Sequence, residues 1–307
     1  MRLYLVLAVL IGAALFHRPA AAEPQITTVV VRSEPGPALW KATRGGATVW
    51  ILAAPYETPE GLSWDQQRVR RILRTAKALI LPVQAWSDSA GEKRWREQSV
   101  LKGQRLRDVV STATYGRFQA AVAREGVTPM RDYEGLLPVR AGSNFYDRFR
   151  HDHHIRNLDV LDAVNLLAVQ ARTPVKQASF ARSNFITDQW LTMNVAQNEA
   201  CLNEFLDAAD YDVMTLPQAA QAWAQADVAT LLAMYRAPAG QACDMALPAW
   251  RAAYEDDYVG GMARAIDEAL KTPGDTLAVV GLPELLGAHG VLDRLKAAGT
   301  EVTAPAQ

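Results

Sequence analysis

The side chains of this 307-residue chain best placed for proton chemistry are Tyr56 and Glu57 in one turn and Glu284 in another. The first turn follows the apolar run 49–54, and the second, residues 281–284, follows the apolar run 276–280. Glu57 and Glu284 are therefore a candidate carboxylate pair for general acid and base work, with Tyr56 beside them. The competing reading is structural. Carboxylates in such turns commonly cap helices, and Glu284 stands where a helix dipole would favour it. Histidines gather once, in residues 148–154, RFRHDHH. His151 and His154 can share a helix face, but His153 cannot easily join them, and the usual zinc pair stands at i and i+4. That stretch reads as a solvated polar segment before a helix, and no metal site is assigned to it.

The elements that must position these groups can be read from periodicity. Residues 49–54 form an apolar run too short for a buried helix and bounded by Gly45-Gly46 and Pro55, which predicts a strand covered on both faces. Ser63 and Gln66 have the spacing of a capping box and predict a helix from residue 63. Val69, Ile72, Leu73 and Ala76 then share one stripe, with Arg68, Arg70, Arg71, Arg74 and Lys77 largely off it. Residues 79–83 supply a second strand. Residues 48–84 thus read as strand, helix, strand, with a right-handed parallel crossover as the default and a site beyond the strands' carboxyl ends.

Further along, residues 101–150 read as short helices broken at Gly126, Pro129, Pro138 and Gly142, and 158–171 as a helix with one apolar stripe. Residues 175–178 read as a short strand, 180 to about 208 as one long helix, and 248–270 as a helix broken at Gly260-Gly261. Residues 276–280 are the last core strand, Val291, Leu292, Leu295 and Ala298 the last helix stripe, and Val302-Thr303 an edge strand. The expected fold is α/β: a central, mostly parallel sheet built from two halves with a large helical insertion between them, the first and last βα turns facing each other.

With these elements in place, PALWKATRGGATVWILAAPYETPEGLSW, RTAKALILPV behind it and DTLAVVGLPELLGAHGVLDRLKAAGTEVT resemble the TraB/PrgY/GumN family, which is related to the Tiki metal-dependent peptidases. Pro37, Leu39, Trp40, Lys41, Pro59, Gly61, Leu62, Trp64, Gly281, Gly287 and Gly290 stand where that family's pattern has them. The resemblance covers most of the mature chain. It implies a chemistry resting on two Gly-x-x-His turns and on acidic residues at the ends of two other core strands. Here the first turn begins at Ala53 and puts Tyr56 in the histidine's place; the second keeps Gly281 and puts Glu284 there. Pro82 replaces the acid at the end of the second core strand, Ser179 replaces a later glutamate, and the family's Arg-Asn pair is missing from YVGGMARAID. A phenol with a pKa of about 10 must lose its proton to bind a metal well, proline offers no donor, and one carboxylate does not make a three-ligand site. The resemblance implies a retained frame without its metal chemistry, and no cofactor is expected.

Residues 1–22 have a charged start at Arg2, an apolar stretch over 3–16 and Ala20-Ala21-Ala22 before Glu23. That is the form of a secretory signal peptide, cleaved after Ala22. The alternative is a retained anchor, but the apolar core is shorter than the roughly 20 residues a spanning helix needs. Export to the periplasm or medium is expected. Residues 23–307 are then expected to form a single domain, with the sheet core at about 37–84, 173–179 and 274–303 and the helical insertion over about 95–270. No later segment reads as transmembrane.

In an exported chain, two cysteines, Cys201 and Cys243, favour a disulfide over two buried free thiols. Similar exported members of the family carry the same pattern of cysteine helix, Ala222-Trp223-Ala224, Asp227 and second cysteine. Half the residues are hydrophobic and the formal net charge is −1, enough apolar matter for a large core and no support for nucleic-acid binding. Two functions from different classes remain. One is a catalytically degenerate binding or accessory protein with a peptide or envelope partner. The other is a hydrolase rebuilt around Tyr56, Glu57 and Glu284, or around ligands from residues 151–154.

Overall fold

Both ends of the chain contribute to one sheet in the computed structural model, which describes residues 36–86, 88–126, 128–182 and 184–305. The expected signal peptide, residues 1–22, lies outside the described residues. The strands are β1 (Leu39–Arg44), β2 (Ala47–Ala54), β3 (Glu57–Pro59), β4 (Leu79–Leu81), β5 (Gln84–Trp86), β6 (Ile155–Asn157), β7 (Val175–Gln177), β8 (Phe180–Arg182), β9 (Gly274–Gly281) and β10 (Glu301–Thr303). The central sheet has the order β10-β1-β2-β9-β4-β7. Its β2, β9, β4 and β7 are parallel, while the β1 and β10 pairings are antiparallel. This is the expected mostly parallel α/β sheet with a helical region between its halves. Two short pairings, β3 with β6 and β5 with β8, extend from it.

The helices are α1 (Gln67–Thr75), α2 (Ser89–Gln98), α3 (Leu106–Val109), α4 (Thr112–Glu125), α5 (Pro138–Asp152), α6 (Asp159–Ala171), α7 (Asn184–Trp190), α8 (Val195–Ala224), α9 (Val228–Met234), α10 (Gln241–Met245), α11 (Pro248–Ala253), α12 (Gly261–Ala269), α13 (Leu282–Leu286) and α14 (Val291–Ala297). Among the described residues no helix is long and apolar enough to cross a membrane.

Burial follows the periodicity. The carboxyl half of β2 is covered on both faces, and Val49, Ile51 and Leu52 are wholly inside with Leu277, Ala278 and Val279 of β9. Trp50 departs from the continuous burial expected. Lys41 and Arg68 lie over its ring at 5.5 and 5.4 Å, so it forms the half-open rim of the strand. Val69, Ile72 and Leu73 turn the apolar side of α1 onto the sheet, as the stripe predicts. A second core lies wholly among helices, where Phe118, Phe145, Phe149, Leu202 and Phe205 pack together. The 30-residue α8, about 45 Å long, reaches from that core, at Leu202, to the sheet, at Trp223.

Several local expectations are corrected. Helix α1 begins at Gln67 and not at Ser63; Asp65 Oδ1 accepts from the Gln67 amide at 2.7 Å, so the Ser63–Gln66 box does not form. Trp64 instead docks edge-on against Trp223, which keeps residues 63–66 out of the helix. The single helix expected from residue 180 is a strand, β8, followed by α7 and α8; a capping box between Asn194 and Gln197 starts α8 afresh, and it runs on to Ala224. Gly142 does not break α5. A Cβ there would stand 2.8 Å from the Phe205 ring and 3.1 Å from the Leu202 backbone, so the glycine allows α5 and α8 to touch. Gly260-Gly261 marks a π-helical turn (Tyr254–Gly260) between α11 and α12, a widening and not a break.

Cys201 on α8 and Cys243 on α10 form a disulfide with 5.2 Å between Cα atoms. Closing a loop of 42 residues stabilises by up to about 4 kcal/mol on the chain-entropy argument. Serine at both positions is expected to lower the unfolding free energy by that order, read as a fall in the urea midpoint. Identical denaturation curves with and without reductant would refute a bridge closing this loop.

Candidate functional site

Parallel pairing of β2 with β9 sets Ala54 opposite Gly281, so the two βα turns leave the sheet side by side. Tyr56, two residues beyond Ala54, and Glu284, three beyond Gly281, reach the same place. Tyr56 donates through its hydroxyl to Glu284 Oε1 at 2.9 Å, and Tyr254, from the π-helical turn, donates to the same oxygen at 2.7 Å. Glu284 is buried, its other oxygen has no hydrogen-bond partner, and its carboxyl folds back over Gly281. A Cβ on Gly281 would fall 2.0 Å from Glu284 Oε2 and 2.9 Å from the Tyr56 ring, so only glycine fits there. The other neighbours fix the frame. Trp223 Nε1 donates to the Ala53 carbonyl at 2.6 Å, and Ser179 Oγ donates to the Asp257 carbonyl at 2.6 Å, anchoring the turn that carries Tyr254.

The electrostatics follow from burial. Desolvation pushes the Glu284 carboxyl above its ordinary range, and the two phenol hydrogen bonds oppose it without prevailing. Burial first, and the Glu284 charge second, holds the Tyr56 and Tyr254 phenols far up; the same two causes push Tyr258, whose ring stacks on Tyr254, up to about 12. The three phenols keep their protons near neutral pH.

A second centre begins one residue further along. The Tyr146 hydroxyl of α5 donates to the Asp212 carboxylate of α8 and also engages Glu57. Burial, then the Asp212 charge, pushes Glu57 up to about 7, against the pull of Tyr146, Arg150 and Arg236. Arg150 Nη1 stands 4.0 Å from Glu57 Oε1. Burial likewise raises Asp212. Glu57 and Asp212, with Tyr56 and Tyr235, line a cavity of about 40 Å³, room for a few waters. Tyr235 has a buried hydroxyl with no hydrogen-bond partner among the described residues; burial first, then the Glu284 and Glu57 charges, raise its pKa, so it feels both centres.

Of the residues singled out in sequence, Tyr56, Gly281 and Glu284 are brought into contact, and Ala53 supports them through its backbone. Glu57 belongs to the second centre; no hydrogen bond among the described residues links it to Glu284. Pro82 and Ser179 follow β4 and β7 at the same carboxyl edge, and neither is among the hydrogen-bond partners of Glu284. The histidine segment ends α5 instead of preceding a helix, and the strand after it, β6, pairs with β3 directly behind Tyr56. Its side chains nevertheless turn outward: His153 meets Glu125 at 2.7 Å, His154 meets Glu60 at 3.1 Å, and His151 meets Asp152 at 3.0 Å. Tyr146 and Arg150 enter the site from the same helix.

The metal implied by the resemblance does not fit this donor set. One carboxylate oxygen already accepts from two phenols whose proton affinity is raised, and among the described residues no three His, Cys, Asp or Glu side chains converge.

Fold and site together define an α/β protein whose two principal turns meet at the carboxyl edge of a parallel sheet. The model of the TraB/PrgY/gumN family matches residues 38–304, and the chain belongs to that family. No curated protein and no solved structure matches the chain.

Sequence reasoning missed Tyr146, Asp212, Tyr235 and Tyr254. Asp212 carried a usable signal, being the lone acid on the buried stripe of Phe205, Ala209, Leu216 and Ala220. Because Glu57 holds its proton more tightly folded than unfolded, its contribution to stability is full below about pH 4.5 and is lost as pH rises through about 7. Glu57→Gln removes that dependence. The variant's stability relative to the native protein is expected to improve by about 2–3 kcal/mol between pH 5 and pH 8. A difference that stays flat across this range would show that Glu57 is not held protonated.

Proposed function

We propose that this chain is an exported, catalytically degenerate member of its family that works by binding, as an accessory protein of the envelope. The observation that carries this reading is the pair of phenol hydrogen bonds on Glu284 Oε1. The position expected to hold a histidine ligand is a protonated phenol, Tyr56, and it spends its hydrogen on the side chain at the other such position. Tyr254 occupies the same oxygen. Oε1 of the lone carboxylate is thus already engaged by two phenols on the face where a ligand set would have to open. Export is supported by the signal-like residues 1–22 and by the Cys201–Cys243 disulfide, a bond that persists in oxidising compartments.

A rebuilt hydrolase is the second reading, and one observation favours it. Glu57, with its proton affinity set at about 7 beside Asp212, has the poise of a general acid or base. The two readings differ in what the protein retains on purification. The binding reading expects well under one equivalent of any transition metal in the tag-free mature protein, and the same melting temperature before and after chelator. A stoichiometric metal whose removal lowers the melting temperature would overturn it.

A further inference from the structure

Beyond the two centres, the carboxyl end of β9 opens onto a groove of about 670 Å³, within the size range of small-molecule sites. Its walls are mainly apolar: Leu232, Met245, Val259, Leu282, Pro283 and Leu286. Leu232 is half exposed on this wall, which explains an otherwise uncovered leucine. Tyr235 and Leu282 are shared with the small polar cavity, so the groove lies directly outside the site already described.

The charged groups at the groove are few and decide what it suits. Arg294 uses Nε on the His289 carbonyl at 3.2 Å, and among the described residues its two terminal nitrogens make no ion pair. Arg264 is close by. The Nη1 atoms of Arg264 and Arg294 lie 3.0 and 3.2 Å from where a Cβ would stand on Gly260. Arg264, however, is committed to Asp256, at 2.9 Å from Oδ1. One uncommitted guanidinium at the end of an apolar groove matches a single carboxylate, which it can hold through two parallel hydrogen bonds. Glu255 is exposed on the groove, also without an ion pair among the described residues, and would repel an anionic head from its own end.

We propose that this groove binds a free single-chain carboxylic acid, with its tail along Leu232, Met245 and Leu286 and its carboxylate on Arg294. The assignment rests on the reading of the chain as a binding protein and names the ligand class. The test is calorimetric titration of the purified mature protein with octanoate and decanoate below their micelle concentrations, with decanol and decylamine as controls. One saturable site per chain is expected, tightening about fourfold for each added methylene. Decanoate should bind more tightly than decanol. Arg294→Gln should weaken decanoate about ten- to hundredfold while leaving decanol unchanged, Arg294→Lys should fall between, and Glu255→Gln should tighten decanoate. Circular dichroism and thermal melts of each variant establish that the fold is kept. Equal affinity for decanol, tighter binding of decylamine, or an unchanged affinity in folded Arg294→Gln would overturn the carboxylate assignment. Absence of saturable binding to metal-free protein would overturn the ligand class alone, since metal content is measured separately.

Discussion

The register of β2 against β9 is the constraint from which the site follows. Eight consecutive pairs, from Ala47 with Gly274 to Ala54 with Gly281, fix where both strands end. A one-residue slip would turn every side chain of a strand to the opposite face, and would carry Tyr56 away from Glu284. The strands can hold that register because their carboxyl halves are apolar on both faces; each wholly buried Val, Ile or Leu contributes roughly 1.5–3 kcal/mol. Burying the Glu284 carboxyl with one oxygen unpartnered costs at least about 1–3 kcal/mol. The core therefore outweighs the site several times over, and a polar group is held at the strand ends without threatening the fold.

The two centres show the same contest between burial and charge. At Glu57 the cations Arg150 and Arg236 and the Tyr146 hydrogen bond all favour the ionised form, yet desolvation and the Asp212 charge win. At Glu284 no cation is among the influences at all; two phenols oppose burial and lose. Tyr235, unpartnered and sensitive to both carboxyls, is where the centres meet electrically without sharing a bond. The result is a string of buried carboxyls whose lone pairs are turned to protonated phenols, an arrangement unlike an open metal-ligand set.

Much of this was legible in the sequence, and the limits have physical causes. The runs 49–54 and 276–280 declared themselves as strands because a strand covered on both faces must be continuously apolar. The placing of Tyr56 and Glu284 at equivalent turn positions came from the resemblance; the register of β2 on β9 sets them one residue out of step, and the Tyr56 hydroxyl still reaches Glu284. Glu57 was paired with the wrong carboxylate. Its partner, Asp212, sits 155 positions away on a helix whose register against the sheet no local pattern specifies. The helix expected from residue 180 failed for a related reason: apolar residues at helical spacing continue across Asn194, whose cap restarts the helix, and the cap's effect depends on tertiary direction. Tyr254 was hidden because it opens the π-helical turn, a widening that helical spacing does not announce.

The helical insertion does more than separate the halves of the sheet, because one of its segments forms a wall of the site. Residues 235–247 are strapped to α8 by the Cys201–Cys243 bridge and by Glu204, which accepts from the amides of Ala242 and Cys243 at 2.9 and 2.6 Å. Asp244, pushed up to about 7 by burial, accepts from Trp190 Nε1 at 2.7 Å. From this strapped segment Gln241 donates to the Tyr254 hydroxyl at 3.2 Å, and Tyr254 in turn donates to Glu284. A chain of bonded groups thus runs from the disulfide to the carboxyl at the end of β9. The same segment supplies Tyr235, Ala237 and Met245 to the groove. Its shape is therefore set by the insertion and its floor by the sheet.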